Sequence, residues 1–308
     1  MVPPVPDDIA RSAATTGSRG ARLTTAAVTM IEAARRHGAR LRLTGGLAVR
    51  RYVTDLDFME RGFSDIDLVG LSDESARIAR AFEDLGYEEN RHVSQATAGA
   101  QLQYLPRAHL LESRAHMLKR PRPLGPANVT NVAGDHVDVF LDVMRMDHDV
   151  DVRDRLGMDP YAIPPTDILL SKLQIGEIAD KDVHDVVALL KDVPLGEPGG
   201  SDAGDTPRLP GSSDGQAIDT SRLARLCARD WGLYHDVIAN LDLAAARLGE
   251  YRLPDADEAR VRGAAVRLRE AVVAHDKSLR WRLRARVGTR LAWRREVEER
   301  EGSPVIAA

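Results

Sequence analysis

A single cysteine, Cys227, stands in a chain of 308 residues, which excludes an internal disulfide framework and any cysteine-built zinc cluster. The nine histidines give no H-x-x-x-H pair backed by further ligands, so catalytic zinc is not expected either. No apolar run approaches the ~20 residues that a membrane span needs. The N-terminus also lacks the cationic start and apolar stretch of a signal peptide. The chain therefore reads as soluble and cytoplasmic, with no membrane partner. Global basicity is lacking as well: the net charge is −4, and nothing in it demands a nucleic acid. What the composition supplies is 43% hydrophobic residues, enough at this length for two modest domains with real cores.

Residues 1–22 are rich in Pro, Ser, Thr and Gly and are expected to form a disordered tail. A core follows over 23–147. Its apolar spacing predicts a helix over Thr24–Arg36, stopped at Gly38, then a short strand over Arg40–Leu43 running into a glycine pair. A helix over 46–53, a strand over 63–71, an amphipathic helix over 74–85 ended by Gly86, and a strand over 137–143 come next. The interval 87–135 reads as strands around Leu102, Tyr104 and Asn128–Val132, joined by a mobile loop. That loop is broken by Pro106, Pro121, Pro123 and Pro126, and carries Arg107, Arg114, Lys119, Arg120 and Arg122 against Glu112. Residues 148–191 read as a helical extension, with helices over 167–178 and 181–191. Gly, Pro, Ser and Asp dominate 192–220, a flexible linker. A helical C-terminal domain over 221–300 completes an α+β chain: a small mixed sheet flanked by helices, then helices alone.

The chemistry-bearing residues fall in a fixed order. Gly45-Gly46 sits at a strand-to-helix turn, where glycine permits unusual dihedrals and lets a phosphate approach the amides at a helix start. Asp65 and Asp67 lie two apart in an apolar run with Ile66, Leu68 and Val69, so they project from one strand face, roughly 7 Å apart. Asp138 is flanked by Val137 and Val139 in a later apolar run, where a charge is costly unless paired or metal-bound. Asp142 would share its face. A second D-x-D, Asp55 and Asp57, follows a helix and reads as a solvated loop. Three carboxylates on adjacent strands repel one another without a cation, and an all-oxygen set suits magnesium holding a nucleoside triphosphate. The acidic run from Met146 through His148 to Arg153 lies at a strand exit and reads as solvated.

In this order the residues resemble the polymerase-beta-like nucleotidyltransferase superfamily, over roughly residues 40 to 145. The wider gap from Gly46 to Asp65 is similar to the branch of AbiEii- and MenT-type toxins, and Arg61 looks like an arginine of that branch. So do Lys172 on the first helix after the core and Lys181-Asp182-Val-His-Asp185 on the next. The resemblance implies that Asp65, Asp67 and Asp138 hold magnesium, two ions in all, and that Lys172 meets the triphosphate of the NTP substrate. Gly45, Gly46 and Ser64 would bind phosphate oxygens, with Arg51 and Asp182 beside the nucleotide. Asp182 and Asp185 would orient Lys172 or Arg51, deprotonate an acceptor, or be ordinary surface charges. The expected reaction moves a nucleoside monophosphate to an acceptor hydroxyl, with pyrophosphate leaving.

The acceptor stays open between RNA, a protein and a small molecule. Residues 277–295 carry eight basic residues and no acid, with Trp281 and Trp293, which favours a tRNA-like acceptor. In that stretch Leu279, Leu283, Val287 and Leu291 are expected to pack as one helix face. The alternative is a non-catalytic nucleotide- or partner-binding module, half of a toxin–antitoxin pair with a cognate antitoxin.

Overall fold

A computed structural model describes residues 18–107, 136–196 and 217–295, with the backbone of 297–300 and 303–306. The predicted strand at Asn128–Val132, the basic loop that precedes it, and most of the expected tail and linker lie outside these residues. Helix α1 (Arg19–Arg36) begins inside the segment read as tail. The Ser18 hydroxyl caps it by accepting from the Ala21 N–H at 3.1 Å, and Ala27, Ile31 and Ala34 bury its inner face.

Strand β1 (Arg42–Leu43) leads into α2 (Gly45–Tyr52), and Asp55 caps the short α3 (Leu56–Met59) rather than lying in open loop. Strand β2 (Ile66–Gly70) is followed by α4 (Ser75–Asp84), β3 (Tyr87–Glu89), α5 (Arg91–Ala96), β4 (Gln101–Pro106) and β5 (Val137–Leu141). These strands form one five-stranded sheet in the order β1-β2-β5-β4-β3. Only β2 and β5 run parallel; the other pairs are antiparallel. Leu68, Val139, Leu102 and Tyr104 share one buried face, where Phe82 of α4 stacks on Tyr104 at 4.0 Å between ring centroids. Asp67, Asp138 and Gln103 share the opposite face. The strand expected to run to residue 143 stops earlier. Asp142 takes φ 63°, which breaks the ladder, and its carboxylate accepts from the Ser72 N–H at 3.0 Å. Asp142 is thereby removed from the site face.

The hairpin β6 (Val143–Arg145) and β7 (Asp149–Asp151) precedes α6 (Pro165–Leu173) and α7 (Asp180–Asp192). Every residue of α6 is buried. It ends five residues short of the sequence expectation because Asn240 draws the chain away, donating to the Leu173 and Ile175 carbonyls at 2.9 and 2.7 Å. Helices α8 (Thr220–Arg229), α9 (Trp231–Ala246), α10 (Asp255–Ala274) and α11 (Leu279–Val287) make up the C-terminal region, and α9 and α10 pack on α7. Strands β8 (Val297–Arg300) and β9 (Ser303–Ile306) pair where the sequence reading carried helix on to residue 300. No helix among the described residues is long and apolar enough to cross a membrane.

The expected apolar face of 277–295 does not pack. Leu279, Leu283 and Leu291 are 73, 53 and 63% exposed. Among the contacts that hold this segment, those of one buried carboxylate stand out, beside the Arg295–Asp149 pair and Trp281 packed on Tyr234. Asp236 on α9 accepts from Arg294 through Nε (2.9 Å) and Nη2 (2.7 Å), from Trp293 Nε1 (3.3 Å), and pairs with His148 Nε2 at 2.8 Å. His148 is buried, not solvated as its acidic neighbours suggested. Burial opposes the charge on Asp236, but the bonds from His148 and Arg294 outweigh it and hold the carboxyl far below its ordinary range. A depressed carboxyl contributes stability that is present above its unfolded value and is lost as pH falls. Asp236→Asn should therefore cost about 2–4 kcal/mol at pH 7, where one buried partner of a pair is removed. It should also flatten the loss of melting temperature that the natural chain is expected to undergo at low pH, as read by calorimetric unfolding.

Candidate active site

Position on the sheet follows from register. Asp67 on β2 lies directly opposite Asp138 on β5, and one rung earlier Ile66 opposes Val137. A further step back, the Ile66 N–H donates to the His136 carbonyl at 3.4 Å, which sets His136 beside Asp65. Asp65 and His136 precede their strands by one residue, so the strand predicted from Phe63 starts later than expected. Because side chains alternate, Asp65, Asp67, His136 and Asp138 stand on one face as two alternate rungs, with Ile66 and Val137 between them on the other.

Contacts confirm the grouping. His136 Nε2 lies 3.4 Å from Asp138 Oδ2 and 3.9 Å from Asp65 Oδ2. On the far side of Asp138, Gln103 donates through Nε2 to Oδ1 at 3.1 Å, and Asn90 donates to Gln103 Oε1 at 2.7 Å. Both Asp138 oxygens are thus oriented from the sheet. Burial, then Asp65, then Asp138 push the Asp67 carboxyl well above the usual carboxylate range, while Lys172 and His136 pull it back. His136 is itself raised, chiefly by its bond to Asp138.

The glycines answer to these side chains. Gly45 takes φ +64°, and a Cβ there would lie 2.2 Å from Asp67 Oδ2. A Cβ on Gly46 would lie 2.2 Å from Arg61 Nη2. The start of α2 therefore has no room for side chains, with a carboxylate against one glycine and a guanidinium against the next. A helix start carries N–H groups without intrahelical partners and the positive end of the helix dipole.

A second layer of charge lies beside it. Lys172 Nζ on α6 is 2.6 Å from Asp182 Oδ1 and 3.0 Å from Asp185 Oδ2, both on α7. Arg61 grips Asp185 with two bonds, Nε to Oδ1 at 3.0 Å and Nη2 to Oδ2 at 2.8 Å, and lies over the Phe63 ring at 4.7 Å. Burial opposes the charge on Lys172, but Asp185 and then Asp182 outweigh it and push its pKa above the ordinary lysine value. Of the three roles open to Asp182 and Asp185, orienting Lys172 is the one these contacts support.

Two predicted residues stand apart from the group. Arg51 pairs with Asp159, Nη2 to Oδ2 at 2.9 Å, and lies over Tyr161 at 5.6 Å. Ser64 is exposed just before β2. His136, Gln103 and Asn90 had no place in the sequence reading. His136 could have been found from H-x-D, which repeats the two-residue spacing of Asp65 and Asp67; Gln103 and Asn90 carry no such signal.

Among the described residues, no group of three or more His, Cys, Asp and Glu side chains is arranged to hold a metal ion as it stands. Asp67 is nevertheless destabilised by its carboxylate neighbours in a way that a divalent cation would relieve. No family model, no curated protein and no solved structure matches this chain.

A carboxyl raised above its unfolded value costs stability at pH 7, and the cost fades as pH falls through the folded value. Asp67→Asn should therefore stabilise the metal-free protein at pH 7 by about 1 kcal/mol or more. Thermal unfolding would show a melting point a few degrees higher, with the gain shrinking toward pH 4.

Proposed function

We propose that the chain is a divalent-cation-dependent nucleotidyltransferase that moves a nucleoside monophosphate from an NTP to an acceptor hydroxyl. One observation carries the reading: Asp67 stands beside Asp138 on parallel strands, with its carboxylate pressed on Gly45 at the start of α2. That joins a carboxylate cluster to a helix N-terminus, the two parts that a metal-bound triphosphate needs.

Asp65, Asp67 and Asp138 would hold the cation. When bound, it neutralises the phosphates and lowers the pKa of the attacking hydroxyl. The backbone N–H groups of Gly45 and Gly46 would meet phosphate oxygens at the start of α2, where the Asp67 carboxylate and the Arg61 guanidinium fill the space that side chains would take; Ser64 is exposed just before β2. Gln103, itself held by Asn90, fixes the Asp138 carboxylate so that its orientation does not change when charge arrives. Lys172 supplies positive charge to the departing pyrophosphate, and Asp182 and Asp185 keep it protonated and aimed. Arg61, beside Gly46, adds a second cation at the same end. RNA is the favoured acceptor, on the strength of the acid-free run 277–295.

Incubation with each α-labelled NTP, a divalent cation and total cellular RNA or protein tests this. We expect label on a small RNA, with Asp67→Asn at least a thousandfold slower although it folds more stably. Label on protein would move the acceptor. Nucleotide bound without any transfer to RNA, protein or small-molecule hydroxyls would favour a non-catalytic module that works with a partner such as an antitoxin.

A further inference from the structure

We propose that His136 is a direct nitrogen ligand of the cation, and that the site accordingly selects Mn2+ over Mg2+. The proposal rests on the metal-site part of the proposed function and names a ligand that neither the carboxylate pattern nor that reading required.

Register places it there. His136 stands opposite Asp65 as Asp138 stands opposite Asp67, so the four side chains form two rungs on one sheet face. Donors at right angles around a six-coordinate ion with bonds of about 2.1 Å are about 3 Å apart. His136 Nε2 lies 3.4 Å from Asp138 Oδ2 and 3.9 Å from Asp65 Oδ2, so each of these two pairs is within about 1 Å of that spacing. The ring has little freedom to leave: it is 8% exposed, with Asp65 and Asp138 on either side of Nε2 and Asp67 close enough to act on its charge. Asp138 cannot turn away either, because Gln103 holds its other oxygen.

The chemistry decides the ion. Magnesium favours oxygen donors and keeps its waters, whereas imidazole is a better ligand for the later divalent ions. Three carboxylates with one imidazole leave an oxygen-dominated, six-coordinate set with a single nitrogen. Mn2+ accepts that set and still serves a triphosphate; tetrahedral zinc would leave carboxylates unused. A histidine that served only to neutralise the carboxylates would instead be displaced by the cation and would leave no mark on it.

The full chain, without nucleotide, is titrated with Mn2+ and separately with Mg2+ by calorimetry. The Mn2+ complex is then examined by electron spin-echo spectroscopy. We expect Mn2+ to bind at least tenfold more tightly than Mg2+ and its spectrum to show coupling to a nitrogen nucleus. His136→Asn should abolish that coupling and weaken Mn2+ at least tenfold, while Mg2+ changes less than threefold. Bound Mn2+ with no nitrogen coupling in the natural chain would overturn the proposal, whatever the variant does, and would leave the carboxylate site standing. Binding of neither ion, with or without added triphosphate, would overturn this proposal and the proposed function together.

Discussion

Two carboxylates side by side on adjacent parallel strands are the constraint around which this protein is arranged. Strand pairing puts Asp67 and Asp138 in register, and nothing in the sheet lets them separate. Buried like charges at that spacing are unfavourable, and Asp67 shows it in a carboxyl pushed well above its usual range. A fold built for stability alone would place apolar residues there, as it does on the other face with Leu68 and Val139. The surrounding structure keeps the conflict in place. Gln103 and Asn90 hold one carboxylate from the sheet edge, and Gly45 yields its side chain to make room for the other. A conflict of this kind, kept by several independent contacts, is what the proposed site requires of the fold.

Positive charge is distributed with the same economy. Lys172 and Arg61 reach the region from α6 and from the loop before β2, and Asp185 touches both. Asp185 is fully buried, and its carboxyl is held below the ordinary range: burial would raise it, but Lys172 and then Arg61 overcome that. Two cations bridged by one buried carboxylate cannot collapse onto Asp67 and Asp138 and quench them. Lys172 stays close enough to act on Asp67. Helices α6 and α7 therefore complete the site electrostatically, although neither belongs to the sheet.

Much of this was legible in the sequence because it follows from period and turn chemistry. Alternation placed Asp65 and Asp67 on one face, Gly45-Gly46 marked the strand-to-helix turn, and the α+β class followed from the order of apolar runs. Lys172, Asp182 and Asp185 were singled out by the family resemblance, and orienting Lys172 was one of the roles left open for the two carboxylates. The misses share a cause: long-range partners that no local pattern encodes. Ser18 extends α1 into the segment read as tail. Asn240 ends α6 early from a distant helix. His136 and Gln103 join the site through strand register, which the sequence does not state. The leucines of 277–295 kept a helical period and are nonetheless exposed, because Asp236 anchors that segment through Arg294 and Trp293. Arg51 has the charge for a phosphate but is taken by Asp159.

The central claim is that the carboxylate cluster and the helix start bind one metal-bound triphosphate together. Calorimetric unfolding with a non-hydrolysable NTP and a divalent cation, added singly and together, tests it most directly. The account predicts small shifts from either alone and a rise of several degrees from both, lost in Asp67→Asn, since only the joint ligand satisfies both halves of the site. An equal rise from the triphosphate without the cation, retained in Asp67→Asn, would contradict it.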